Sequence, residues 1–236
     1  MRQQVNCSRS FLVLFVRFLA ILFLLGLCSP TQAGIVTFDY SASFGQTPPD
    51  GPIPYGTAVF DDSIGPNKVE LTVSVAGSVG VADVTELYFN LDPAFDPTAL
   101  SISKTGGDGP DPNGILLGVD AFQADGDGMY DILIDLPPPP GNNTARFNAG
   151  ETLVFEISGI VGLVASDFNL VSAPSPNEGG AGPFLSVMRF QSTGSPANDS
   201  DWVGVEVVGA EAPEPSTLAL ILLGLCGLLA GRSRKE

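Results

Sequence analysis

The chain has 236 residues, with 26 acidic and 10 basic side chains, no histidine, three cysteines and one tryptophan. The missing histidine excludes Ser-His-Asp catalysis, His-ligated zinc or copper, and the usual acid–base residue near neutral pH. A formal charge of −16 repels phosphate-rich partners, so no nucleic-acid partner is expected.

The first 33 residues read as an export signal. Arg2 and Arg9 form a basic start, and residues 11–28 are apolar except for Arg17. Pro30-Thr31-Gln32-Ala33 then presents small residues where signal peptidase reads them, which places the cut between Ala33 and Gly34. An uncleaved N-terminal anchor is the alternative, and Arg17 interrupts it.

Residues 34–212 are expected to form one ectodomain of ordinary length. Cys7 and Cys28 lie in the signal and Cys226 near the other end, so the ectodomain has no cysteine for disulfides or thiolate chemistry. Six of the ten bases also lie in the terminal segments. Lys68, Lys104, Arg146 and Arg189 remain against 24 acids (26 less Glu214 and Glu236), a charge of about −20. Solubility accounts for such a surface, and recruitment of divalent cations is the alternative.

Period-two alternation runs through the ectodomain. Ile35–Tyr40 reads as the first strand, followed by a Pro/Gly loop over 46–56 and a short extended piece over 57–61. Residues 68–76 alternate cleanly, with Val69, Leu71, Val73 and Val75 on one face. Val84–Leu91 repeats this with Thr85, Leu87, Phe89 and Leu91. Asp92-Pro93 and Asp96-Pro97 break the chain before a short strand over 100–104. Strands are then expected over 115–121, 130–136, 151–158, 165–171, 184–191 and 202–208. In the second of these, Tyr130, Ile132, Ile134 and Leu136 share a face. About ten short strands separated by turn clusters predict an all-β, antiparallel β-sandwich, of jelly-roll or immunoglobulin-like order.

The loop before Tyr130 is the sharpest local signal. Asp125, Asp127 and Asp131 stand at positions 1, 3 and 7, and Gly126 and Gly128 permit a tight path. Oxygen ligands at that spacing suggest a Ca²⁺ site. However, Met129, Tyr130 and Leu136 occupy positions 5, 6 and 12, where the calcium loop needs an oxygen ligand, Gly and Glu. An Asp-Gly hairpin turn is the competing reading. No other cofactor is indicated. Trp202, beside Asp199 and Asp201, is either a sugar-stacking ring or a core residue opening a strand.

The last stretch combines three features. Pro213-Glu214-Pro215 comes first, then an uncharged apolar run over 216–231, then Arg232, Arg234 and Lys235. Sixteen helical residues span about 24 Å against a hydrocarbon core of about 30 Å, so this is a short transmembrane helix. The basic tail over 232–235 belongs on the cytoplasmic side. The combination over 213–236 resembles the PEP-CTERM sorting domain. That resemblance implies recognition by exosortase, a membrane cysteine transpeptidase of systems associated with exopolysaccharide and biofilm matrix. An ordinary tail anchor is the alternative.

The expectation is thus an exported protein, first anchored in the membrane and then sorted to the cell surface or extracellular matrix, with signal peptidase and exosortase as partners. Its expected role is structural or adhesive and not enzymatic. A carbohydrate-binding module for exopolysaccharide is the main alternative, and a carboxylate-based hydrolase a more distant one.

Overall fold

Alternating apolar residues make strands with one buried face, and two such sheets must cover each other. The computed structural model describes residues 34–137, 146–175 and 181–207. Within them the chain is all-β, and every strand pairing is antiparallel. The expected signal peptide, the Pro213–Pro215 motif, the apolar run 216–231 and the basic tail lie outside the described residues. Among those residues no helix is long and apolar enough to cross a membrane.

Among the described residues twelve strands form two sheets. They are β1 (Ile35–Tyr40), β2 (Ala42–Ser43), β3 (Gly56–Asp61), β4 (Val69–Val75), β5 (Asp83–Phe89), β6 (Ser101–Gly107), β7 (Gly114–Gln123), β8 (Met129–Asp135), β9 (Phe147–Asn148), β10 (Thr152–Ser158), β11 (Ser186–Thr193) and β12 (Asp199–Gly204). The first sheet has the order β1-β3-β4-β10-β6. The second has the order β2-β12-β11-β5-β8-β7, with β9 also on β5. Only Ser41 separates β1 in one sheet from β2 in the other, and its N–H bonds to the Gly204 carbonyl at 3.3 Å.

One core fills the space between the sheets, as a β-sandwich requires. Phe38, Phe60, Leu71, Val73 and Phe155 enter it from the five-stranded sheet, and Leu87, Phe89, Ile132, Ile134, Met188 and Phe190 from the other. The Phe60 ring ties the layers together. It meets Phe89 of the opposite sheet edge-on at 5.4 Å and stacks on Phe168 at 4.5 Å. Rings in these geometries add about 0.5–1.5 kcal/mol per pair beyond the area they bury.

Three expectations change. Residues 165–171 are not a strand. Ala165–Phe168 is a 3-10 turn, with Asp167 accepting the Val164 N–H at 2.8 Å and Asp62 the Ala165 N–H at 3.0 Å. Its buried residues are Ala165 and Phe168, three apart, which is a helical and not a strand spacing. The last strand covers 199–204 instead of 202–208. Tyr130 does not join Ile132 and Ile134 in the main core. It belongs to a second cluster with Tyr88, Phe184, Val187 and Trp202.

Candidate functional site

The second cluster sits against the seven-stranded sheet, away from the main core. Tyr88 and Trp202 lie 5.8 Å apart, Tyr88 and Tyr130 5.6 Å apart, and Phe44 stacks on Phe184 at 5.0 Å. Arg189 lies beside Trp202 across the β11–β12 ladder and places its guanidinium 5.0 Å from the indole centroid. It donates to Glu86 at 2.6 Å, and Glu86 also accepts from the Tyr88 hydroxyl. Burial and the Glu86 carboxylate both push the Tyr88 phenol above its ordinary range.

This arrangement decides the role of the rings. Trp202 is 8 % exposed, and all four tyrosines are buried. Trp202 is therefore the core residue of the two alternatives, with Arg189 over one face. No aromatic ring among the described residues is offered to solvent as an open sugar platform.

The acidic loop forms the hairpin turn between β7 and β8. The Asp127 N–H bonds to the Ala124 carbonyl at 3.3 Å, and Gly126 takes φ +75°, which glycine adopts at no steric cost. Asp125 is exposed. Asp127 is buried and accepts from the Tyr130 and Ser172 hydroxyls and from the backbone N–H groups of Gly128 and Phe184. Asp131, in β8, spends both oxygens elsewhere, on the Leu91 N–H at 3.0 Å and the Asp120 N–H at 2.8 Å. The three carboxylates do not converge. Among the described residues no group of three or more acidic side chains is placed to hold a metal ion. The Asp125–Asp127–Asp131 cage suggested by spacing is corrected to a turn plus two separate hydrogen-bonding centres. Tyr130 and Asp131 are already committed, the first by its hydroxyl to Asp127 and the second to the Leu91 and Asp120 N–H groups.

The sequence reading missed what the interior aspartates do. Among the described residues, Asp83, Asp127, Asp131 and Asp201 are the buried acids, and all belong to the seven-stranded sheet or its β7–β8 turn. Asp201 accepts the Ser43 hydroxyl at 2.6 Å and the Gly45 N–H at 2.7 Å, pinning β2 and the turn after it to β12. Asp83 accepts from Ser192 at 2.8 Å, with Arg146 at 3.4 Å. Burial pushes the carboxyls of Asp83, Asp127 and Asp201 above the ordinary range, against the hydrogen bonds that lower them. Without disulfides, these carboxylates cross-link loops to strands. The legible signal was an Asp at the strand positions of 83, 131 and 201, where a merely solubilising acid is out of place.

Beyond the folded domain, comparison with protein families adds one match. The PEP-CTERM protein-sorting motif aligns to residues 211–235. The chain carries a PEP-CTERM sorting motif. The match covers Pro213-Glu214-Pro215, the apolar run, and Arg232, Arg234 and Lys235. PEP-CTERM sorting makes this an exported, surface-directed substrate of exosortase. No curated protein and no solved structure matches the chain.

Proposed function

We propose that this PEP-CTERM protein is a non-catalytic structural or adhesive component of the cell surface or exopolysaccharide matrix. The observation that carries the proposal is the sorting motif at 211–235 following an all-β domain. Signal peptidase cuts between Ala33 and Gly34. The helix over 216–231 then anchors the precursor with residues 232–235 inside, until exosortase processes it near Pro213–Pro215. Disulfide-free cross-linking by buried aspartates suits a domain that must remain folded outside the cell.

Intact mass and fractionation of the native protein, with and without exosortase, test this. The expected mature form begins at Gly34, lacks residues 218–236 and appears in the matrix or outer envelope. Without exosortase, a membrane form retaining 218–236 accumulates. Persistence of 218–236 in cells that contain exosortase would instead make the segment a plain tail anchor and sink the matrix role.

A further inference from the structure

Two open clefts meet at the turn end of the β11–β12 hairpin. One, of about 440 Å³, is lined by Gln46, Arg189, Gln191, Asn198 and Ser200, among others. The other, of about 670 Å³, runs past Arg146 and Asn148. Ser192 and Ala197 line both and form the saddle between them. Each is in the range of small-ligand sites, about 300–1,000 Å³, and together they make one trough.

The saddle is built from two non-glycine residues in the left-handed region, Ser192 at φ +59° and Ala197 at φ +63°. Non-glycine residues in that region are strained, and such residues cluster at functional sites. Ser192 is the extra residue where the β11–β12 register shifts between Gln191 and Thr193, and such bulges re-aim side chains. Its hydroxyl is turned onto the fully buried Asp83, which also holds Arg146. Glu86 fixes Arg189 in the same way, and Thr47 donates to Asp199 at 2.8 Å. The lining is therefore set before any ligand arrives.

Both arginines of the ectodomain lie in this trough, while Lys68 and Lys104 pair with acids elsewhere. Each arginine keeps a buried Nε without a partner, and the Thr193 hydroxyl and one Asp83 oxygen lack one too. These atoms are buried beneath the trough, and the polar groups open to it are led by the exposed Gln46 and Asn198. Asp83, Glu86 and Asp199 offset the two guanidiniums, so the locale does not select an anion. Amides and hydroxyls wall most of the first cleft, and the second adds the apolar side chains of Val81, Ala82 and Ala149 to its polar groups. A sugar hydroxyl both donates and accepts, and suits such a mixed set.

We infer that this trough binds an uncharged, hydroxyl-rich glycan by hydrogen bonding instead of ring stacking. The trough stands on its own side chains, and only the ligand's availability rests on the surface destination proposed above. The test is affinity electrophoresis of the full chain, in a detergent without a sugar headgroup, through gels holding dextran, galactomannan, a mixed-linkage β-glucan or alginate. Retardation by at least one neutral polysaccharide is expected. It should weaken at least tenfold in Gln191→Ala/Asn198→Ala and be unchanged in Lys68→Ala, whose ion pair with Glu156 lies at the other sheet. No retardation by any neutral polysaccharide, retardation by alginate alone, or retardation indifferent to the double substitution would each overturn it. A matrix-located protein that binds none of these glycans sinks this site alone. A glycan binder that never reaches the matrix sinks the matrix role alone.

Discussion

Arg189 rests 5.0 Å above the indole of Trp202 while its guanidinium donates to Glu86 at 2.6 Å, so one side chain ties β11 to both of its neighbours. Glu86 is only 19 % exposed and also takes the Tyr88 hydroxyl. Arg189→Ala removes the cation–π contact and leaves Glu86 with a half-buried, uncompensated charge. A loss of about 2 kcal/mol is expected from the two effects together. The single tryptophan reports the change directly, because its emission should move to longer wavelength as water reaches the exposed ring face. An unchanged denaturant midpoint with unchanged emission would show that the pair contributes nothing.

The raised carboxyls predict an unusual response to pH. An ordinary unfolded aspartate titrates near pH ~3.9. Burial raises Asp83, Asp127 and Asp201 above that in the folded state, so the folded chain holds their protons more tightly. Stability therefore rises as pH falls into the window between the folded and unfolded values, and is lost as pH rises through it. Asp61 and Asp96 are held low by hydrogen bonds, from Ser63 and Thr98 respectively, and act oppositely, withdrawing stability only as pH falls below the ordinary aspartate range. The melting temperature should climb as pH is lowered from neutrality toward the ordinary aspartate range, with a shallower climb in Asp127→Asn. A steady fall across that range would contradict this account.

Asp131 separates the structural from the cation-binding role of the acidic loop. Both its oxygens accept backbone N–H groups, from Leu91 and Asp120, at an 8 % exposed position. Asp131→Ala strands two donors, at about 1–3 kcal/mol each, and a total loss of about 3 kcal/mol is expected. Calcium chloride or a chelator should leave the melting temperature of the unaltered protein where it was. A calcium-dependent rise that disappears in Asp131→Ala would restore the site that the sequence spacing suggested.

Alternation was enough to place most strands, because Val69 to Val75 and Leu153 to Ile157 each bury one face against a single core. It failed where a residue obeys a different constraint. Phe168 is buried from a 3-10 turn, and Thr85 lies where the β5–β11 register shifts and the two-residue period slips. Tyr130 was read by parity alone, yet the β7–β8 register shifts between Ile132 and Tyr130, and the ring lies in the second cluster with its hydroxyl on Asp127. The trough was illegible for a related reason. Gln46, Arg146 and Gln191 are far apart in sequence, and only the sheet order assembles them. The sorting motif needed no folding to be read, since its three parts are contiguous.

The second cluster also predicts a sharp difference between two glycines. Gly204 ends β12, and a Cβ there would run into the Phe184 ring, which is already stacked on Phe44. Gly204→Ala must push Phe184 off Phe44 or bend β12 where it pairs with Val187, and overpacking of this kind costs about 1–3 kcal/mol. At Gly77 a Cβ meets nothing within 4 Å, and the backbone is not left-handed. Gly77→Ala should be neutral or stabilising by up to about 1 kcal/mol, through the unfolded chain. Chemical denaturation of both variants gives the comparison. Adding Phe184→Ala to Gly204→Ala should cost less than the two separate losses combined, because residues in contact couple. Strict additivity would mean that Gly204 is constrained by its backbone and not by the ring.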